Sequence, residues 1–260
     1  MENIIIVMQD TGEKSGALDL GCELAQLTNS KLSVVLISEE PYPLIGSEMF
    51  SKMKMLIIEK RQEYQLDIDI NLYDDNALDA VLFESRFADL LILARDPLPL
   101  HATEYIPSTF VKKILCEAEC PIILAPRSLM AFEEIAFCYN GSSSCIFAIK
   151  QFSYLLPQLS TKRLRLVEIR DFELNPHDRA KWLLYHKRTR EWLETHYVNF
   201  DFTFIEGEVA VQLSNYMATK KNQLAVMGSY GRSTLSTMLK KSIGDSLIAN
   251  VDLPVFIAHK

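Results

Sequence analysis

The strongest constraint on this chain is an alternation, run through twice, between short apolar segments rich in β-branched residues and longer segments of helical periodicity. Residues 4–8 (IIIVM) end in a polar Gln-Asp-Thr-Gly stretch and predict a buried strand running into a loop. Apolar residues between Ala17 and Leu27 then recur at helix-like spacings. The same reading gives strands at 32–37 (LSVVLI), 66–72, 90–94 (LLILA) and 121–125 (PIILA), with helices around 48–64, 77–87 and 109–117 between them. From about residue 133 the series starts again. Strands at 135–139 (IAFCY), 164–169, 200–205, 224–227 (LAVM) and 254–258 alternate with helices reaching to about 156 and around 177–196, 209–220 and 242–251.

The two passes match in residues as well as in order. CPIILAP at 120–126 lies against LPVFIAH at 253–259, and ADLLILA at 88–94 against NQLAVMG at 222–228. An internal repeat of about 130 residues predicts two tandem domains, 1–128 and 129–260, with Pro126-Arg127-Ser128 as the linker. Strands that alternate with helices of this length need crossover connections. Each domain is therefore an α/β, doubly wound unit, a five-stranded and mostly parallel sheet with helices on both faces.

Composition is that of a folded protein, 48% apolar and 23% charged. The N-terminus MENIIIVMQD has no basic leader and no small-residue cleavage site, and no apolar run approaches the roughly 18 residues of a membrane helix, so the expected location is the cytoplasm, away from membrane. The five cysteines (Cys22, Cys116, Cys120, Cys138 and Cys145) are scattered through apolar segments and read as reduced structural thiols. Residues 1–130 carry 11 basic against 21 acidic side chains, a net of −10, while 131–260 carry 16 against 13, a net of +3. An acidic first half argues against a nucleic-acid partner, and the mildly basic second half tolerates a small anionic ligand.

One loop carries candidate chemistry. After the strand at 224–227 the chain reads Gly228-Ser229-Tyr230-Gly231, and nine further residues, 232–240, separate Gly231 from Lys241-Ser242-Ile243. Ligands in open α/β sheets settle beyond the carboxyl ends of the strands, where this loop begins. Gly228 and Gly231 let backbone approach a phosphate, and Ser242 opens a helix whose free N–H groups and dipole favour an anion. A two-glycine loop is also a common turn. The five histidines show no metal-binding spacing, and neither a nucleophile-elbow motif nor a phosphate-binding GxxxxGK[ST] loop occurs, so no catalytic residues and no metal ligands are assigned. The segment Asn140-Gly141-Ser142-Ser143-Ser144 lacks the paired glycines of a pyrophosphatase loop and reads as a flexible connection. The aromatic and basic residues of 177–196 read as an amphipathic helix covering the sheet, in preference to a stacking surface for nucleic acid.

The loop resembles the G-x-x-G-(nine residues)-G-[S/T] signature of universal stress proteins, and the resemblance extends over both halves of the chain. Gly228, Gly231 and Ser242 occupy motif positions, and Lys241 stands where the third glycine belongs. A lysine there either intrudes on bound phosphate or faces it as a point charge. The resemblance implies a non-catalytic stress-response or regulatory protein. Its C-terminal domain would take an adenine nucleotide, ATP or AMP, with any metal limited to nucleotide-associated Mg. Phosphates would lie at Gly228, Ser229, Gly231, Lys241, Ser242 and Ile243, and the base near Asn140 and Met227. Met227 reads equally as strand core. Nucleotide-binding members place an aspartate at the end of the first strand; here Asp10 stands in the first copy and Asn140 in the second.

In the first copy the equivalent loop has lost both glycines and holds Pro97 and Pro99, which predicts no phosphate cradle, while Thr109 is expected to cap the following helix. A nucleotide-free interaction scaffold of the same fold is the alternative reading, and slow ATP hydrolysis, for which no base is identifiable, ranks last. The resemblance further implies that the last strands, 121–125 and 254–258, pair within one chain as an intramolecular pseudo-dimer. Homodimerisation of the whole chain and unknown protein partners are left open.

Overall fold

A run of consecutive apolar residues on one strand is stable only if both faces of the sheet are covered, and the central strand of each half meets that condition. In the computed structural model, which describes residues 1–8, 16–37, 48–73, 76–94, 108–170, 176–220, 222–228 and 252–258, the chain divides into two units, Met1–Leu129 and Met130–Lys260.

In the first unit β1 (Asn3–Met8), α1 (Gly16–Thr28), β2 (Lys31–Ile37), α2 (Glu48–Tyr64), β3 (Ile68–Tyr73), α3 (Ala77–Ser85), β4 (Leu90–Ala94), α4 (Thr109–Glu117) and β5 (Ile122–Ala125) follow one another. The strands lie in the order β3-β2-β1-β4-β5, and all pairs are parallel. Asn3 pairs with Lys31 and Ile4 with Leu90, so β1 is flanked on both edges. Helix α1 packs with α2, and α3 with α4. Ile4, Ile5, Ile6 and Val7 point alternately to the two faces, and every one of them is buried, so helices cover both faces of the sheet.

The second unit repeats this order. It comprises β6 (Glu134–Tyr139), α5 (Ser143–Leu155), a short 3-10 turn (Pro157–Thr161), β7 (Arg163–Arg170), α6 (Pro176–His196), β8 (Phe200–Glu206), α7 (Val209–Ala218), β9 (Gln223–Met227) and β10 (Val255–Ile257). Its order is β8-β7-β6-β9-β10, again all parallel. Counted from the first strand of each unit, both sheets run third, second, first, fourth, fifth. Three fully buried rings hold the second core together: Phe152 meets Phe137 and Phe256 edge-on, at centroid distances of 5.8 and 5.2 Å.

Several boundaries differ by one or two residues from those expected, and two of the differences have a plain cause. The strand expected at 66–72 begins at Ile68, because Gln65 takes a left-handed conformation (φ 52) at the end of α2 and Leu66 N–H still donates back to the Arg61 carbonyl. The cap of α4 is Ser108, not Thr109. Ser108 is extended (φ −61, ψ 163) and its hydroxyl accepts the Val111 N–H at 3.3 Å, which leaves Thr109 as the first helical residue.

At the amino ends of the second sheet a polar network spans several strands. Arg165 on β7 grips Glu134 on β6 with two N–H donors at 2.9 and 3.0 Å, and Gln223 on β9 also donates to Glu134. Arg163 donates to Asp201 on β8 at 2.7 Å. Burial alone would raise the Glu134 carboxyl, but the Arg165 guanidinium, with Gln223 and Arg163, holds it below the usual carboxylate range. A depressed folded-state value means that this contribution to stability is present above the unfolded-state pKa of about 4.3 and is lost as pH falls through the lower folded value. Arg165→Met should cost about 1–3 kcal/mol in urea unfolding at pH 7, because it strips a largely buried carboxylate of its partner. The loss should shrink below about pH 4. Arg163→Ala, at a half-exposed pair, should cost under about 1 kcal/mol.

Candidate functional site

In the second unit the chain leaves β6 for α5 on one side and enters β9 from α7 on the other, so the carboxyl ends of these adjacent strands bound the switch-point crevice of the sheet. The loop that starts there is tightly built. Asn140 Oδ1 accepts the Ser142 N–H at 3.0 Å, and Gly141 takes φ +74 to make the bend. Ser142, extended at φ −72 and ψ 157, then caps α5 by accepting the Cys145 N–H at 3.2 Å. A segment expected to be a flexible connection is thus a hydrogen-bonded helix start.

Gly228 closes the crevice from the β9 side. A Cβ at this position would stand 2.1 Å from the Ser144 carbonyl oxygen, 2.2 Å from its carbon and 2.5 Å from the Cys145 nitrogen. These are backbone atoms, which cannot swing aside. The Ser144 hydroxyl donates to the Gly228 carbonyl at 2.6 Å and fastens the two segments together. The glycine expected to admit a phosphate is therefore required first by the approach of β9 to the opening turn of α5.

Between these segments lies a cavity of about 100 Å³. Asn140, Met227 and Gly228 line it, together with Cys138, Tyr139, Cys145, Val167, Ile169, Val209 and Leu213. Its walls are largely aliphatic; Met227 is 5% exposed at its edge and Asn140 lies at the surface. Burial pushes the Cys138 thiol up to about 12 and the Cys145 thiol up to about 11, so both behave as apolar wall rather than as nucleophiles. Of the residues singled out from sequence, the structure brings Asn140, Met227 and Gly228 together. Ser229, Gly231, Lys241, Ser242 and Ile243 lie outside the described residues, as do Asp10 and the loop with Pro97 and Pro99.

The fit of a nucleotide follows from this geometry. Two of the four amides that open α5 are already engaged, the Ser142 N–H by Asn140 and the Cys145 N–H by Ser142, which halves what this helix start could offer a phosphate. The aliphatic slot suits the edge of a flat ring. At about 100 Å³ it is well below the roughly 300 Å³ at which sites for whole small molecules begin. Among the described residues no group of three or more His, Cys, Asp or Glu stands where it could hold a metal ion. The aliphatic walls were not recognisable from sequence, because Val167, Val209 and Leu213 belong to ordinary strand and helix patterns and only the topology brings them to Asn140.

Comparison with solved structures defines the fold class. A universal stress protein from Archaeoglobus fulgidus superposes with a TM-score of 0.69 at 11% identity, covering 98% of this chain and 98% of that one. A universal stress protein from Pseudomonas aeruginosa UCBPP-PA14, described as putative, gives 0.68 at 13% identity, covering 99% of this chain and 93% of that one. A functionally unknown protein from Pseudomonas aeruginosa PAO1 gives 0.69 at 13% identity, with 99% and 92% covered. The chain therefore has the tandem α/β fold of universal stress protein structures over nearly its whole length. No protein-family model and no curated protein matches the sequence.

Gly228→Ala should lower stability by about 2 kcal/mol or more in denaturant unfolding with no ligand added, because the new methyl meets fixed backbone. Gly141→Ala, where a Cβ meets nothing closer than 3.9 Å, should cost only the backbone strain of about 1–2 kcal/mol. Alkylation offers a separate check on the walls. Cys138 and Cys145 should resist iodoacetamide at pH 8 in the folded protein and react fully once it is denatured.

Proposed function

We propose that this chain is a tandem universal stress protein, non-catalytic, whose second unit binds an adenine nucleotide. The base edge would lie in the slot between Asn140, Met227 and Gly228, and the phosphates at Gly231, Lys241, Ser242 and Ile243. One observation carries the reading. A slot with aliphatic walls opens at the switch point of the sheet, between the two strand ends where ligands of doubly wound folds gather, and residues singled out from the loop motif line it. Selective recognition of a base follows from its walls: Val167, Ile169 and Leu213 offer apolar contact, and the Asn140 carboxamide stands at the edge. Neutral Asn140 brings no negative charge close to an anionic ligand.

A second reading, a nucleotide-free interaction scaffold, is favoured by the structural duties already held by the same residues. Asn140 orders the β6–α5 turn, and Gly228 accommodates α5, so both residue types are accounted for without a ligand.

Titration calorimetry with ATP and with AMP separates the two. Saturable binding of one nucleotide per chain is expected, lost in Gly231→Trp and weakened about ten-fold in Leu213→Trp, which fills the slot. Absence of heat at millimolar nucleotide, in protein shown to be folded and free of co-purified nucleotide, would establish the scaffold reading instead.

A further inference from the structure

Helices α5 and α6 lie side by side on the second sheet, but they pack closely only towards their carboxyl ends. There the Ser153 and Tyr197 hydroxyls meet at 2.7 Å, and Tyr154 meets Trp192 edge-on at 6.2 Å. Between the first turns of α5 and the middle of α6 they leave a groove of about 540 Å³, within the range of small-molecule sites. No residue lines both this groove and the switch-point slot.

The lining has a definite chemistry. Phe147 on α5 and Tyr185 and Trp192 on α6 supply aromatic surface, and Ile146 adds an aliphatic wall. Beneath them Thr189 is buried and shares a hydrogen bond of 3.1 Å with the Tyr139 hydroxyl. That contact ties the groove floor to the end of β6, where Tyr139 also lines the switch-point slot. The two lining residues that carry charge at neutral pH, Lys150 and Arg188, are both cations, and both are exposed. Lys150 lies 5.8 Å from the Tyr154 ring centroid. Arg188 donates to Glu191 at 2.9 Å, an exposed pair worth under about 1 kcal/mol, which an incoming anion would displace at little cost.

We propose that this groove is a second ligand site, selective for a flat aromatic anion whose rings lie among Phe147, Tyr185 and Trp192 and whose acidic group meets Lys150 and Arg188. Aromatic walls bind planar apolar bodies by stacking and edge contacts, and the preference for an anion comes from the two cations at the rim. Because the groove is separate from the nucleotide slot, the inference stands whether or not the second unit binds a nucleotide.

The probe is 1-anilinonaphthalene-8-sulfonate, an aromatic sulfonate that reports by its own emission and by energy transfer from tryptophan. Expected is binding of one dye per native chain, unaffected by saturating ATP. The uncharged analogue N-phenyl-1-naphthylamine should bind about ten-fold more weakly. Lys150→Glu combined with Arg188→Glu, both at exposed positions, should weaken the dye by about ten-fold or more. Ile146→Trp should block it by filling the groove. Equal affinity in the charge-reversed protein, equal affinity for the uncharged analogue, or several equivalent sites would overturn the proposal. Near-ultraviolet circular dichroism establishes that each variant is folded, and the surface double change decides the matter if Ile146→Trp is not.

Discussion

Everything at the candidate site depends on how closely β9 can approach the start of α5. The parallel register sets Glu134 opposite Gln223 and Phe137 opposite Val226, so β9 runs out beside the end of β6 at the point where the chain turns into the helix. Two chain segments then compete for one space. The conflict is resolved by removing a side chain at Gly228 and by converting the remaining contact into a hydrogen bond from Ser144. Asn140 and Ser142 fix the turn that places Ser144 there. The slot at the switch point is what remains between segments held in this way, and its apolar walls come from the carboxyl ends of β6, β7 and β9 and the first turns of α7.

This constraint also decides what could be read from the sequence. Apolar runs such as 4–8 and 90–94 identify themselves as strands because both faces of a parallel sheet are buried, and the repeated order of elements follows from the same requirement. Gly228 was recognisable as a position needing glycine, but the reason was not, since the atoms that forbid a Cβ belong to residues more than eighty positions earlier. The cap of α4 was misplaced by one residue because Ser108 and Thr109 are both good caps, and only the backbone angles choose between them. The Asn140–Ser144 segment reads as loop by composition. Its asparagine and serines are instead the side chains that satisfy amides at a helix start.

The polar network at the opposite end of the sheet was less legible still. Glu134, Arg165 and Gln223 are unremarkable in sequence, and they meet because three strands from distant parts of the chain lie side by side. A carboxylate so enclosed would be costly alone; two guanidinium donors and the Gln223 amide compensate its charge.

Helix α6 shows how burial divides a helix whose sequence is mixed all round. Trp182 turns inward and donates its indole N–H to Glu168, a carboxylate only 3% exposed on β7, while His186 lies 3.8 Å from the other carboxylate oxygen. Phe202 on β8 stands 4.8 Å from the His186 ring. Two turns further on, Trp192 stacks on His196 at 3.8 Å and takes part in closing the helix against α5. The aromatic residues of this helix therefore serve two ends of one interface. The inward pair anchors it to the sheet, the later pair clamps it to α5, and between these anchors Tyr185 and Arg188 line a gap that the two helices do not fill. A groove of this kind is what two parallel helices leave when their close contacts with each other are confined to one end. Trp192 belongs to both sets: it clamps the helix to α5 and lines the groove.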